Sequence, residues 1–493
     1  MPPPEPSRSR VEGLDLARAV AILAMVLINF QVFLLSRPGE QLDGLPWRWL
    51  IHTPSGRSSA LFVTLAGAGI ALLSRSPERG RARVTLLKRA LFLLAAGNLL
   101  ILVWRIDILH FYAFFLALAA LVFLDFTRRE LLGAAVAVTL FAALLDYAFE
   151  WPEPDYWSVR GMATDVLVGG IHPVLPWIAF VLVGMWIGRA DLTDRGTRRR
   201  LLLGAATGAL VAELASTALG ALAAHGAWPG PLARLLGTGW SPEPLYVAGA
   251  ASTSVLAICV CQEVAERWPR ATLVRALVAT GQLSLSIYVL HALVGVGIPR
   301  WLLGLSRAMD WPALTLYWAG FVVTVVLGAY AYRARLARGP LEWVMRKVAG
   351  ATPPVAPRAP AAARREPPRW PWAFIALAAL ALAAIRVTGL APPTLGCGEP
   401  VALEGRAASE LTLSCPRRTY LVRVDRAREV RLETRSSLDL YLELWGPTKR
   451  IAADDDSGEG LDARITRRLE PGTYRAVVRP YHRDFGPFAL VVE

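Results

Sequence analysis

Between residues 14 and 333 the chain carries about ten apolar runs, most of them of the length that crosses a bilayer as a helix. They lie at 14–35, 58–74, 85–104, 107–124, 131–149, 172–188, 200–224, 245–263, 275–298 and 313–333. An eleventh, "PWAFIALAALALAAI", begins near 371. In water such runs would have to bury one another in a single oversized core. In lipid, each one satisfies its own backbone hydrogen bonds by coiling into a helix. The hydrophobic content of 54% and the mean hydropathy of +0.41 are above those of ordinary soluble domains. The expected fold is an all-α polytopic membrane protein of about 10 + 1 transmembrane helices, followed by an extracytoplasmic β-sandwich.

Charge supplies the orientation. The formal net charge is +14 and most of the cations are arginine. No aromatic-flanked basic face suited to nucleic acid is present, so the charge reads as topological. With the N-terminus in the cytoplasm, the inner loops are "SRSPERGRARVTLLKR", "DFTRRE", "RADLTDRGTRRR", "QEVAERWPRATLVR" and "YRARLARGP". The outer ones include "EWPEPDYWSVRGMATD" and "HGAWPGPLARLLGTGWSPEP", richer in Trp and Pro. The opening "MPPPEPSRSR" has the charge order of an export signal, but no small-x-small cleavage site follows the first run, which is expected to stay as a span.

Composition divides the rest. Residues 1–350 form the membrane unit, closed by "GPLEWVMRKV", an amphipathic piece suited to the inner interface. Residues 351–370 are a Pro/Ala/Arg linker, too polar to pack as a core. The additional span occupies 371–389, and 390–493 is strand-patterned, with "LDLYLELWG" and "TYRAVVRP" alternating. Of four cysteines, Cys259 and Cys261 sit in an apolar run and read as small buried hydrophobes. Cys397 and Cys415 flank the start of the polar tail, where export would favour a disulfide.

The first run, "LDLARAVAILAMVLINFQVFLL", is not purely apolar: it holds Asp15, Arg18 and Asn29. Arg18 and Asn29 are eleven residues apart, which returns to within roughly 20° of one helix face about 16 Å along the axis. Polar groups at such depths are costly unless they face a bundle interior or a cavity. The plainer reading makes Asp15 and Arg18 interfacial anchors and Asn29 a packing amide.

"VEGLDLARAVAILAMVLIN" resembles the opening of the multipass membrane acyltransferases typified by heparan-α-glucosaminide N-acetyltransferase and its bacterial relatives, with Ala19 where the family has Gly. "LFVTLAGAGIALL" with Gly67 and Gly69, "DILHFYAFFLAL", "HPVLPWIAFVLVGMWIGR", "GQLSLSIYVLH" and "GPLEWVMRKV" resemble segments of the YeiB-type branch. Gln282 replaces that branch's usual Arg. The tail "SSLDLYLELWGPTKRIAADDDSGEGLDARITRRLEPGTYRAVVR" is similar to the bacterial pre-peptidase C-terminal domain. The first resemblance implies a bacterial inner-membrane enzyme that takes an acyl group, commonly acetyl, from cytoplasmic acyl-CoA to an extracytoplasmic amine or hydroxyl, such as one on a glycan. Membrane lipid is the surrounding partner. The polar face of the first span would then line the acyl path through Asp15 and Arg18.

Asn29 matches the family's functional Asn, but Glu40 stands where the heparan-type enzymes keep a catalytic His. The base must come from elsewhere. Five of the six His (His52, His110, His172, His225 and His291) fall at outer ends or loops in this topology. His110, three residues after Asp107, is the first candidate, because a carboxylate there can orient the ring. His52 follows, as it lies in the loop where the family has its His. Ser284, Tyr288 and His291 share a helix face that would bind acceptor. Arg75, Arg79, Arg81, Arg83 and Arg189 suit the CoA phosphates, although positive-inside anchoring is the stronger reading of them. Asp454, Asp455 and Asp456 would suit calcium, or a solvated acidic turn. The same polar cavity is compatible with transport of a small solute or lipid-linked molecule, and an inactive membrane unit displaying the β-sandwich is a third reading.

Overall fold

The computed structural model describes residues 11–35, 56–74, 79–102, 107–148, 159–224, 243–305 and 308–350. In the C-terminal part it describes 401–403, 405–411, 418–436, 438–446, 450–455, 457–459, 462–480 and 486–493. The chain forms two compact units, one mainly helical and one mainly of β-structure.

The helical unit comprises α1 (Glu12–Leu34), α2 (Arg57–Leu73), α3 (Arg79–Ile101), α4 (Leu109–Leu118), α5 (Arg128–Ala148), α6 (Val159–Thr164) and α7 (Val174–Gly188). It continues with α8 (Arg195–Ala224), α9 (Pro244–Arg267), α10 (Thr272–Gln282), α11 (Ser284–Leu290), α12 (Trp311–Arg335) and α13 (Pro340–Ala349). Among the described residues, the apolar runs up to residue 333 are largely helical. Among the described residues, six helices are long and apolar enough to cross a membrane. A seventh joins them if Gly161–Gly169 and Val174–Gly188, bent by 49°, count as one span. Arg57–Leu73 and Leu109–Phe123 are shorter apolar helices. Leu91 and Leu99 of α3, Val136 and Leu140 of α5, and Leu316 and Leu327 of α12 are exposed, as lipid-facing side chains would be. The eleventh run and the Pro/Ala/Arg linker lie outside the described residues.

Glycine sets the closest helix contact. A Cβ on Gly67 of α2 would collide with the Val181 carbonyl of α7, and one on Gly184 would collide with the Thr64 carbonyl. These small residues bring two backbones together, the usual route to tight packing where lipid supplies no hydrophobic drive. On α10, Gly281 likewise lies against the Asp15 carbonyl of α1.

Sequence periodicity suggested one continuous ninth span, but the helix breaks at Leu283 (φ −109°, ψ 17°). The free N–H groups of the new helix start are satisfied by Glu342 of α13, which accepts from Leu285 N (2.9 Å) and Ser286 N (3.1 Å). The Glu of "GPLEW" is thus a clasp for α11. π-helical turns follow α4 (Ala119–Phe123), α6 (Asp165–Gly169) and α11 (His291–Val296). Thr127 and Glu130 form a reciprocal cap at the start of α5.

Among the described residues the β unit has nine strands: β1 (Val401–Ala402), β2 (Arg406–Leu411), β3 (Arg418–Val424), β4 (Arg428–Arg435), β5 (Leu440–Trp445), β6 (Arg450–Asp454), β7 (Arg464–Leu469), β8 (Gly472–Pro480) and β9 (Gly486–Val492). They build a five-stranded sheet, β1-β3-β8-β5-β6, and a four-stranded sheet, β2-β9-β4-β7. Alternating residues of both sheets, among them Val422, Leu442 and Val478 from one and Leu432, Ile465 and Leu490 from the other, form one core. Tyr474 donates to the Glu470 carbonyl across the turn before β8 (2.8 Å).

Candidate active site

Asp107 lies just ahead of α4, where helix N–H groups lack intrahelical partners. Its Oδ2 accepts from the backbone N–H of His110 (3.0 Å) and lies 3.1 Å from His110 Nδ1. The expected pairing therefore exists, but its geometry comes from a helix start and not from two positions within one helix. Tyr288 of α11 donates to Asp107 Oδ1 (3.2 Å) and accepts from Ile108 N–H (3.1 Å).

The other ring nitrogen, His110 Nε2, lies 3.4 Å from Asp165 Oδ2, on the π turn after α6. The imidazole therefore sits between two carboxylates, and all three side chains are buried. Neither Asp165 Oδ1 nor His110 Nε2 has a hydrogen-bond partner among the described residues. Buried polar atoms are nearly always paired, so such a pair is a place where a ligand atom or water would be held. Two glycines make room: a Cβ on Gly97 of α3 would lie 2.7 Å from Asp107 Oδ2, and one on Gly170 would lie 2.6 Å from Asp165 Oδ1. Phe111 stacks beside His110 (centroids 3.9 Å), and His172 packs on Trp177 (4.5 Å).

Asn29 Nδ2 lies 2.8 Å from His291 Nε2, joining α1 to the π turn after α11. The His291 ring is 5.1 Å from that of Tyr288. Residues from α1, α4, α11 and their flanks thus form one buried polar cluster, with Asn29, Asp107, His110, Tyr288 and His291 together. Asp165 had no signal in the sequence, since it is a lone acid 55 positions beyond His110 whose approach depends on the chain turning at Gly170. Ser284 is only half-buried and outside this cluster. His52 and His225 lie outside the described residues.

At the opposite end of α1, Asp15 is buried and pairs with Arg18 (2.5 Å). Gln282 donates to Asp15 Oδ2 (3.2 Å) and accepts from Arg333 Nε (2.7 Å). The Gln in place of Arg thereby relays Asp15 to an arginine of α12. Arg18 runs past Gly69, where a Cβ would lie 3.7 Å from its guanidinium.

The arginines expected to meet CoA phosphates are partly engaged within the chain. Arg79 and Arg83 pair with Asp125 (3.0 and 2.8 Å), holding its carboxyl below its ordinary range, mainly through the Arg83 hydrogen bond. Arg189 donates to the Phe126 and Leu124 carbonyls. Arg81 is exposed, and Arg75 lies outside the described residues. Buried Arg198 bonds Glu263 and Glu266, a staple between α8 and α9. In the β unit, Asp454 accepts from Ser457 N–H (3.0 Å) and Arg464 N–H (2.7 Å), and Asp455 lies beside it. Among the described residues no cluster of three His, Cys, Asp or Glu could hold a metal; Asp456, Cys397 and Cys415 lie outside them. Cys259 and Cys261 are free and buried.

The C-terminal part is similar to the solved pre-peptidase C-terminal domain of a collagenase from Bacillus anthracis, at 16% identity and a TM-score of 0.18, covering 20% of this chain and 96% of that one. None of the curated proteins matches the chain significantly. Residues 10–223 match the family described as heparan-alpha-glucosaminide N-acetyltransferase, catalytic, and residues 187–352 match a protein family of unknown function, DUF418. The two matches overlap and run together over 10–352, and they support the multipass membrane acyltransferase-like superfamily for the helical unit.

Proposed function

We propose that the helical unit is an acyl-CoA-dependent acyltransferase, which moves an acyl group, acetyl first among candidates, to an extracytoplasmic amine or hydroxyl such as one on a sugar. The observation that carries this reading is the buried His110 imidazole between Asp107 and Asp165. With its Nδ1–H donated to Asp107, the ring presents Nε2 as a base. The acceptor oxygen or nitrogen attacks the thioester carbonyl as Nε2 takes its proton. The carbon–sulfur bond then breaks, and the leaving thiolate recovers that proton from the imidazolium. Asp107 and Asp165 stabilise the transient positive charge, and Asn29 and Tyr288 fix the surrounding backbone and ring positions. The products are the acylated acceptor and free CoA thiol.

In this reading the protein is a multipass protein of a bacterial inner membrane with ten spans before residue 350 and an eleventh at 371–389. The N-terminus is cytoplasmic, and the two β-sheets form an exported sandwich, with calcium at Asp454–Asp456 and a Cys397–Cys415 bond as further proposals. The test is thiol release from acetyl-CoA by purified protein with amino sugars as acceptors. Turnover in wild type that is lost in His110→Ala, with acetyl-CoA binding retained, supports the reading. Acetyl-CoA that neither binds nor turns over at millimolar concentration refutes it.

A further inference from the structure

The buried stripe of α3 runs through Ala82, Thr85, Leu86, Ala90, Leu93 and Gly97. Arg89 lies on the same side. Its Nε is buried and has no hydrogen-bond partner among the described residues. The helix α13, which carries Arg346, packs directly on α3. Arg346, on α13, also lines a cavity of about 350 Å³ together with Arg338, Trp343, Lys347 and Gly350. No acid is among those lining residues; Glu342, the one acid of α13, is turned toward α11. An inward guanidinium is costly unless an anion meets it. The arrangement therefore suits a ligand with several negative oxygens, for which the planar guanidinium fork is the matching donor.

We propose that Arg89, Arg338 and Arg346, with Lys347, hold the phosphates of the thioester donor, an inference that rests on the acyltransferase reading. Geometry favours this over a lipid headgroup. A headgroup at the bilayer surface would meet the exposed Arg338 and Lys347 but would leave the inward Arg89 unanswered. Gly97, which packs against Asp107 and His110, is eight residues further along α3, about 12 Å along the axis. The extended pantetheine arm joining the CoA phosphates to the thioester is of that order. Phosphates at Arg89 would thus leave the acyl group at His110.

The probe is 3′-phosphoadenosine 5′-diphosphate, which has the phosphates but neither thiol nor acyl group, titrated calorimetrically into full-length protein in nanodiscs. Arg89→Gln and Arg346→Gln are each expected to weaken its binding about tenfold or more, the loss of one charge-assisted phosphate contact. The acetyl-CoA KM should rise with kcat little changed. Arg346→Gln, on the short half-exposed α13, and the charge-retaining Arg89→Lys guard against simple misfolding. Unchanged nucleotide affinity in both Gln variants, alongside wild-type acetyl-CoA turnover, overturns the cradle and leaves the acyltransferase reading intact. The cradle is equally overturned if the variants keep nucleotide binding and lose only the stabilisation given by phosphatidylglycerol in the nanodisc. Wild type that neither binds the nucleotide nor releases CoA defeats both proposals.

Discussion

At the scale of the residue, the proposed chemistry hangs on how one imidazole is held. His110→Ala removes the base, and the expected loss in kcat is roughly 10²- to 10⁴-fold, measured by thiol release. Asp165→Asn keeps the shape but removes a charge 3.4 Å from Nε2, so it should lower kcat while leaving KM near wild type. An equal rise in KM would instead make Asp165 a substrate contact. Asn29 and His291 are bonded at 2.8 Å, so the effects of Asn29→Ala and His291→Ala on thermal stability should not add. A double-mutant cycle is expected to give a coupling of about 1 kcal/mol. Much of this cluster was legible beforehand: the polar line of α1 and the Asp107–His110 spacing both pointed inward. Asp165 was invisible, because no local pattern relates it to His110. His291 was legible as a candidate, but its partner Asn29 lies 262 positions away and only tertiary packing joins them.

At the scale of the element, small residues decide where the site's walls stand. Gly184→Val would push α7 from α2 and is expected to cost about 1–3 kcal/mol, read as a lower melting temperature in detergent. The runs of apolar residues announced the helices, yet they did not announce their interruptions. The break at Leu283 and the π turns at Asp165 and His291 reflect tertiary demands, such as Glu342 reaching the N–H groups of Leu285 and Ser286. Hydropathy, which averages over many residues, cannot register a turn in which one extra residue re-aims a side chain. In the β unit a charged pair joins two neighbouring strands at the side of the apolar core. Glu433 on β4 accepts from Arg464 on β7, and this hydrogen bond, ahead of other causes, holds its carboxyl below its ordinary 4.5. The sign follows: that stabilisation is complete above about pH 4.5 and is lost as pH falls through the depressed folded value. Asp462 works the other way, raised by burial, so its cost is relieved on acidification. Exchange protection of the β4 and β7 amides, corrected for intrinsic rates, should fall on acidification in wild type and fall less in Glu433→Gln. Identical acid profiles would remove Glu433 from the account.

At the scale of the whole molecule, the helical unit carries two polar clusters, one toward each end of α1. Asp15, Arg18, Gln282 and Arg333 link α1, α10 and α12 at one end. Asn29, His110 and His291 close the other. In the proposed reaction the phosphates of the donor lie toward the first end, and its acyl group meets the acceptor at the second. The most direct measurement uses proteoliposomes with radiolabelled acetyl-CoA outside and glucosamine enclosed, the cytoplasmic face turned outward. The account predicts label on the enclosed sugar with wild type and none above background with His110→Ala, while both bind acetyl-CoA. Label accumulating as readily with His110→Ala, or acetyl-CoA left intact by wild type while a solute crosses, would contradict it.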